Sequence, residues 1–392
     1  MNSDSKSLLI SGGMVLRENG LLTRTDIFIE KGAIVNIGEG FEADSVINAE
    51  GLTVVPGLID IHTHGIQRVS VDDGTLEEYA RIESSRGTTT FFPTFFAPPE
   101  TIAARMQEYL HETHDLKTTP QVGGFRLESP YLAQTGAGVS KDLVPISNDI
   151  TQMLLDAGEG HVKLWDVSPE LPDSPEFISA MTEKGIVCSL AHTLATIEQA
   201  KESIDAGARL VTHLFDTFEQ PVVTDPDQGV YPAGLTDYLL TEDRVVCEII
   251  GDGTHVHPLL VEITFRCKQQ GKIAFVTDSN YGAGLPAGHY VLPGSWGNIE
   301  IKTSNDGLRM LDRNMELAAS ALSPIDSFRN AVNLFNKDIA VASSVCSKTP
   351  ARLLGLNKGE ISEGKDADIL IIDPEFGVRY TIVGGDTVYR KE

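Results

Sequence analysis

The sequence predicts an α/β fold, namely a TIM-like (β/α)8 barrel with a small β-sandwich built from both chain termini. Two observations lead to this prediction. Short apolar strands alternate with amphipathic helices through the middle of the chain, and strand-rich segments with Gly-containing turns occupy both ends. We therefore assign residues 1–55 and 358–392 to the sandwich and residues 56–357 to the barrel.

The N-terminal segment has the rhythm of a small antiparallel sheet. Residues 7–10, 25–29 and 33–37 are short apolar runs separated by turns that contain glycine. Residues 367–373 and 380–385 repeat the pattern at the other end of the chain. Because chain termini often lie close together in a domain, we expect both ends to form one sandwich.

The middle of the chain contains enough strands for a closed barrel. One strand carries His62, and the seven others are expected at residues 88–94, 122–128, 162–167, 186–192, 210–215, 245–250 and 273–278. A doubly wound open sheet is the alternative. No Gly-rich phosphate-binding fingerprint follows the first strand, which disfavours that alternative.

Composition excludes several classes of function. The 392-residue chain has a formal net charge of −25, which disfavours binding to nucleic acid or to an anionic membrane surface. No signal peptide or membrane-length apolar run is evident, so we expect a cytoplasmic protein. The expected partner is a small-molecule substrate. The four cysteines are widely spaced and indicate neither a disulfide framework nor a thiolate zinc site.

His62 and His64 are the first indication of chemistry. They end an apolar run rich in β-branched residues, and side chains two positions apart lie on the same face of a strand. Neutral imidazole is a common ligand of Zn²⁺ and similar ions. Such a pair occurs by chance often enough that further ligands are needed to support a metal site.

Four more candidate ligands also end predicted strands. In a barrel they would meet at the C-terminal mouth, where the active sites of such barrels lie; the residues are Glu128, His192, His213 and Asp278. One helix, predicted over residues 196–207, separates the strands of His192 and His213, so these two should be neighbours. Nitrogen and oxygen donors of this kind suit a divalent ion, with Zn²⁺ favoured and Fe²⁺, Mn²⁺ or Co²⁺ as alternatives.

Several motifs resemble those of the amidohydrolase superfamily, and in this order they are similar to N-acetylglucosamine-6-phosphate deacetylases. They are residues 56–65 (PGLIDIHTHG), 127–130 (LESP), 191–193 (AHT), 212–215 (THLF), 252–255 (DGTH), 276–278 (VTD) and 361–370 (ISEGKDADIL). The resemblance implies that Glu128, His192 and His213 hold a principal ion. Glu128 would bridge it to a second ion at His62 and His64, with a single ion as the alternative.

The resemblance also implies how the other residues act. Some amidohydrolases bridge their ions with a carboxylated lysine on the fourth strand, where this chain has Lys163; with Glu128 present, we expect Lys163 to be structural. We expect metal-assisted hydrolysis of an amide, with Asp278 as general base toward water and then as general acid toward the leaving amine. His255 matches a histidine of the family that contacts the substrate.

The pattern departs from that family at the substrate contacts. Asp216 and Thr217 replace an Asn-Ala pair, residues 220–229 lack the arginine that pairs with the substrate phosphate, and residues 136–138 lack a histidine. Because carboxylates repel a phosphate, we expect deacetylation of an N-acetylated amino sugar that need not be phosphorylated. The resemblance implies a homodimer. Hydrolysis of another C–N bond, as in a cyclic amide or an N-acyl amino acid, and a non-catalytic ligand-binding role remain alternatives.

Overall fold

The computed structural model describes residues 7–113, 121–136, 143–218, 232–291 and 297–392. The strands, in chain order, are β1 (Leu8–Leu16), β2 (Leu22–Glu30), β3 (Ala33–Gly38), β4 (Ser45–Asn48), β5 (Thr53–Pro56), β6 (Leu58–Thr63), β7 (Gly65–Ile66), β8 (Val69–Ser70), β9 (Thr88–Phe95), β10 (Phe125–Leu127), β11 (Val162–Val167), β12 (Val187–Leu190), β13 (Leu210–Val211), β14 (Val246–Ile250), β15 (Ile273–Val276), β16 (Gly288–Val291), β17 (Asn298–Ile301), β18 (Leu308–Met310), β19 (Glu316–Ala319), β20 (Ile369–Ile372), β21 (Val378–Val383) and β22 (Asp386–Arg390).

The α-helices, in the same order, are α1 (Leu76–Ser85), α2 (Pro99–Thr113), α3 (Asn148–Ala157), α4 (Ser174–Glu183), α5 (Ile197–Ala206), α6 (Leu235–Thr241), α7 (Pro258–Cys267), α8 (Pro324–Asn333), α9 (Ile339–Ser343) and α10 (Thr349–Leu353). Within the described residues, no helix is both long enough and apolar enough to cross a bilayer.

Strands from both ends of the chain form one eight-stranded sheet, as predicted. Its order is β22-β21-β20-β5-β1-β2-β3, and β4 also pairs with β1. The expectation of a purely antiparallel sheet is wrong, because β4 and β5 run parallel to β1. The chain reverses direction from β1 to β2 and again from β2 to β3. The strands β4 and β5 come after these two reversals and pair with β1 in the parallel direction. The division into residues 1–55 with 358–392 and residues 56–357 stays a prediction.

Eight parallel strands form the predicted barrel, in the order β15-β14-β13-β12-β11-β10-β9-β6. A parallel bridge between Thr63 and Ser279 joins the two ends of this series. The N–H of Asp278 donates to the carbonyl of His62 at 2.9 Å, and the N–H of His64 donates to the carbonyl of Ser279 at 2.8 Å. The sheet is therefore closed next to the candidate metal ligands, which excludes the open doubly wound alternative.

Helices surround the barrel and bury its outer face. The helix predicted between His192 and His213 is α5, which begins at a capping box formed by Thr196 and Gln199 and ends at Gly207 with φ 130°. Apolar residues of the strands and helices form the largest core cluster, which includes Trp165, Phe125 and Leu190. The packing of these residues holds in place the strand ends that carry the candidate metal ligands.

A four-stranded antiparallel sheet, β16 to β19, is inserted between β15 and α8 and was not predicted. Its strands have only three or four residues each. The first of them, β16, alternates between partly buried and exposed residues over Gly288–Val291. Such short strands give little periodicity from which to recognise them. The segment leading from β17 to β18 passes beside His255, because the hydroxyl of Thr254 donates to the carbonyl of Asn305 at 2.5 Å.

Candidate metal centre and active site

The six residues predicted to form the metal centre lie together at the C-terminal mouth of the barrel. His62 is in β6, and His64 and Glu128 directly follow β6 and β10. His192, His213 and Asp278 each lie two residues beyond the end of a strand, with φ values of 45°, 26° and 47°. Positive φ is uncommon outside glycine and costs on the order of 1–3 kcal/mol at each position, and such strain concentrates at functional sites.

The two carboxylate oxygens of Glu128 face different pairs of histidines. Oε1 lies 2.9 Å from Nε2 of His192 and 3.4 Å from Nε2 of His213. Oε2 lies 3.1 Å from Nε2 of His64 and 3.5 Å from Nε2 of His62. A carboxylate placed in this way is oriented to serve two adjacent ion positions.

Asp278 lies next to the pair formed by His62 and His64. Its Oδ1 is 3.3 Å from Nε2 of His64 and 3.5 Å from Nε2 of His62. The side chains of Asp278 and His64 are 14% and 13% exposed, whereas His62 is fully buried. Asp278 therefore contacts His62 and His64 and is also partly exposed at the mouth of the barrel.

The carboxylates and imidazoles of the centre stabilise each other's charged forms. Burial alone would lower the pKa of His64, but hydrogen bonds with Asp278 and Glu128 raise it to about 10. Burial likewise opposes the raised pKa of His213, which reaches about 10 through its hydrogen bond with Glu128 and the charge of Asp216. Burial raises the pKa of Asp278, but the charges of His62 and His64 hold it well below its usual range.

The donor set fits one or two divalent ions. Among the described residues, three groups of donors have ligand atoms within 4.8 Å of one another: Glu128 with His192 and His213, His62 with His64 and Glu128, and His62 with His213 and Asp278. Nδ1 of His192 is buried and has no hydrogen-bond partner among the described residues. Histidine nitrogens and carboxylate oxygens converging at these distances are the ligands that Zn²⁺ and similar ions take in proteins.

His255 lies near the centre and is held by Asp252. Nδ1 of His255 is 2.6 Å from Oδ2 of the buried Asp252, which also accepts the N–H of His255 at 2.9 Å on Oδ1. Burial alone would lower the pKa of His255, but the bond to Asp252 and the charges of Asp216 and Asp278 raise it. The imidazole is thus fixed in orientation next to the acidic groups of the mouth.

Asp216 and Thr217 also border the centre. The backbone carbonyl of Asp216 lies 3.3 Å from Nδ1 of His213, and the charge of Asp216 contributes to the raised pKa of both His213 and His255. A Cβ added to Gly136, whose φ is 54°, would lie 2.9 Å from Cγ2 of Thr217 and 3.0 Å from Cε1 of His192. Glycine at position 136 therefore lets the chain pass close to one of the ligands.

Two of the predicted departures from the family pattern lie outside the described residues. These are the loop 220–229 without the arginine, and residues 137 and 138 of the motif without the histidine. Lys163 donates through Nζ to the carbonyl of Gly160 at 2.9 Å. Gly160 precedes β11, so the ammonium group is at the N-terminal end of that strand and away from the mouth.

A charged cluster inside the barrel was not predicted from the sequence. Arg126, Asp166 and Glu248 are fully buried on β10, β11 and β14, and Oε2 of Glu248 lies 3.3 Å from Nδ1 of His62. The signal was present in the sequence, because buried parallel strands are normally almost entirely apolar and each of these strands carries a charged residue.

The comparisons with known proteins agree with this geometry. The family model described as "Amidohydrolase family" matches residues 53–388. The N-acetylglucosamine-6-phosphate deacetylase of Lysinibacillus sphaericus is 27% identical over 97% of this chain and 97% of the relative, and that of Homo sapiens is 28% identical over 98% and 94%.

Solved structures of N-acetylglucosamine-6-phosphate deacetylases from other organisms share the fold. A mutant N-acetyl-D-glucosamine-6-phosphate deacetylase from Mycobacterium smegmatis, in complex with N-acetyl-D-glucosamine-6-phosphate, is 25% identical with a TM-score of 0.84 and covers 98% of this chain and 99% of its own. The N-acetylglucosamine-6-phosphate deacetylase of Thermotoga maritima is 26% identical with a TM-score of 0.83, covering 98% and 100%. The predicted resemblance is confirmed, and the chain belongs to the amidohydrolase family.

Proposed function

We propose that this chain is a metal-dependent amide hydrolase that removes the acetyl group from an N-acetylated amino sugar. The observation that carries the proposal is the arrangement around Glu128, whose two oxygens face His192 with His213 and His64 with His62. The relatives named above supply the substrate class, because they are deacetylases of N-acetylglucosamine-6-phosphate.

Glu128, His192 and His213 would hold the principal ion, and His62 and His64 would hold a second ion with Glu128 as the bridge. Zn²⁺ is the proposed ion, since four imidazoles and a carboxylate suit it. When bound, the ion would supply a Lewis acid for the amide carbonyl and would lower the pKa of a bound water.

Asp278 would move the proton. An aspartate carboxyl group is ionised at neutral pH, so Oδ1 can accept a proton from the water that adds to the amide carbon. The protonated carboxyl group then donates to the amine nitrogen, because an amine must be protonated to leave. One side chain at the mouth thus serves both halves of the reaction.

His255 would orient the substrate. Asp252 occupies its Nδ1 at 2.6 Å, which leaves Nε2 to bond a polar group of the sugar or of the amide. Asp216 and Thr217 would border the same region, and the negative charge of Asp216 favours a neutral or cationic substrate over a phosphorylated one. We also propose a homodimer, which the molar mass in solution will test.

A substrate panel tests this proposal. Metal-replete protein is incubated with N-acetylated hexosamines, their 6-phosphates, a cyclic amide and N-acetyl amino acids, and the released acetate or opened ring is measured. We expect acetate from the amino sugars, with the unphosphorylated forms at least as good as the 6-phosphates. Turnover confined to the cyclic amide or the amino acids would contradict the substrate class, and no turnover with any compound would contradict the enzyme assignment.

A further inference from the structure

A buried cluster of three charged side chains lies beneath the candidate metal centre. Arg126 is fully buried and donates through Nη1 to Oε1 of Glu248 at 2.5 Å and through Nη2 to Oε2 at 3.2 Å. The same guanidinium donates to both oxygens of Asp166 at 2.9 and 3.0 Å. Since β10 and β14 are four places apart in the sheet order, the bond from Arg126 to Glu248 crosses the barrel interior.

Glu248 connects this cluster to the histidines at the mouth. Its Oε2 lies 3.3 Å from Nδ1 of His62 and accepts the backbone N–H of His213, also at 3.3 Å. The opposite nitrogen of His62, Nε2, lies 3.3 Å from Nε2 of His64 and 3.5 Å from Oε2 of Glu128. A carboxylate that accepts from Nδ1 leaves the lone pair of Nε2 directed toward the other ligands.

The bidentate bond from Arg126 holds Glu248 in one orientation. A paired guanidinium and carboxylate with two parallel hydrogen bonds is more rigid than a single contact, and both partners are excluded from water. Burial of the cluster is costly, and replacing such groups by apolar ones often leaves stability unchanged or higher. Stability alone therefore gives no reason for a charged cluster at this place.

We propose that Glu248, held by Arg126, is a positioning residue that fixes the tautomer and orientation of His62 and thereby sets the affinity of the second ion position. This inference rests on the proposed function, in which His62 and His64 hold that ion. Asp166 provides a matched comparison, because it is equally buried and bonds the same guanidinium, whereas its side-chain hydrogen bonds in the described structure do not reach a histidine.

The test measures ion binding rather than activity. Full-length wild type, Glu248→Gln, Glu248→Asp and Asp166→Asn are stripped of metal and titrated with Co²⁺, whose visible absorption reports each bound ion. Thermal unfolding of the metal-free proteins is recorded in parallel. We expect Glu248→Gln to keep the principal ion and to bind the second about 10- to 100-fold more weakly. Glu248→Asp, which keeps the charge, should be intermediate, and Asp166→Asn should bind both ions as the wild type does.

Each other outcome has a defined meaning. Wild-type affinity of both ions in Glu248→Gln would overturn the inference, as would equal weakening in Asp166→Asn. If Glu248→Gln does not fold, wild-type affinity for the second ion in Glu248→Asp overturns the inference and weaker binding supports it. A wild type that binds a single ion would overturn the inference while leaving the principal site intact. A wild type that binds no ion would contradict the proposed function and the inference with it.

Discussion

Oδ1 of Asp278 lies 3.3 Å from Nε2 of His64, at the seam where the first and last strands of the barrel meet. The backbone N–H of Asp278 donates to the carbonyl of His62. The backbone carbonyl of Asp278 accepts the N–H of Ser320 at 3.0 Å. Closure of the barrel therefore sets the distance between the proposed acid–base residue and the histidine pair.

Replacing Asp278 by asparagine should abolish proton transfer without emptying the centre. Asparagine has the same shape but cannot accept a proton at neutral pH, so kcat should fall by about 10²- to 10⁴-fold. Bound metal should stay near the wild-type level, because Glu128, His192 and His213 are unchanged. Steady-state kinetics and elemental analysis of the same preparation check both expectations. Retention of wild-type kcat would show that Asp278 is not the proton carrier.

Substitution of single histidines should distinguish the two ion positions. His64→Asn removes a ligand of the second ion position only, so about one ion per chain should remain. His192→Asn removes a ligand of the proposed principal ion and should reduce both binding and turnover more strongly. Elemental analysis after dialysis against a weak chelator gives the stoichiometries. Identical losses in the two variants would argue against two separable positions.

Asp216→Asn should shift the substrate preference toward phosphorylated sugars. The carboxylate acts on both His213 and His255, and removing its charge reduces the repulsion of a nearby anion. We expect the ratio of kcat/KM for a 6-phosphate to that for the unphosphorylated sugar to rise several-fold, corresponding to about 1 kcal/mol. Competition between the two substrates measures this ratio directly. An unchanged ratio would place the sugar 6-position away from Asp216.

Glu83 should make the folded protein less stable as pH rises. Burial raises the pKa of Glu83 from 4.5 to about 8, with a further contribution from the charge of Asp60. Oε1 has no hydrogen-bond partner among the described residues, and Oε2 accepts from Thr88 at 2.7 Å. The folded state thus retains a proton that the unfolded state loses above pH 4.5, so stability falls between pH 4.5 and about 8 and levels off above that range.

Glu83→Gln carries no ionisable proton and should not show this loss. Relative to the wild type, its free energy of unfolding should rise by on the order of 3 kcal/mol between about pH 5 and about pH 9. Urea unfolding of the metal-free proteins at both pH values gives this difference, from which the titration of groups that do not interact with Glu83 cancels. A difference that does not change with pH would mean that Glu83 is ionised in the folded protein at neutral pH.

The barrel and its mouth could be predicted because the sequence repeats one signal. Each ligand lies at or just beyond the end of a largely apolar strand, and α5 carries its own start and stop residues in Thr196 and Gly207. The closure of the sheet at Thr63 and Ser279 could not be seen from local pattern, since it depends on all eight strands. The parallel pairing of β1 with β4 and β5 was missed for the same reason.

The charged cluster beneath the centre escaped prediction for a different reason. Arg126, Asp166 and Glu248 are distant in sequence, and each lies on a different, largely apolar strand. Only the fold brings the guanidinium of Arg126 to the carboxylate of Glu248 and that carboxylate to His62. Charged residues in strands that are buried on both faces are therefore worth examining as a group.

The most direct test of metal-dependent amide hydrolysis is add-back of ion to metal-stripped protein with an N-acetylated hexosamine, counting acetate and free amine together. We predict no turnover without ion and equimolar release of acetate and amine once Zn²⁺ is restored, with the kcat of Asp278→Asn about 10²- to 10⁴-fold lower at equal metal content. Release that is independent of the ion, or none in the replete wild type with any N-acetylated sugar, would contradict the account.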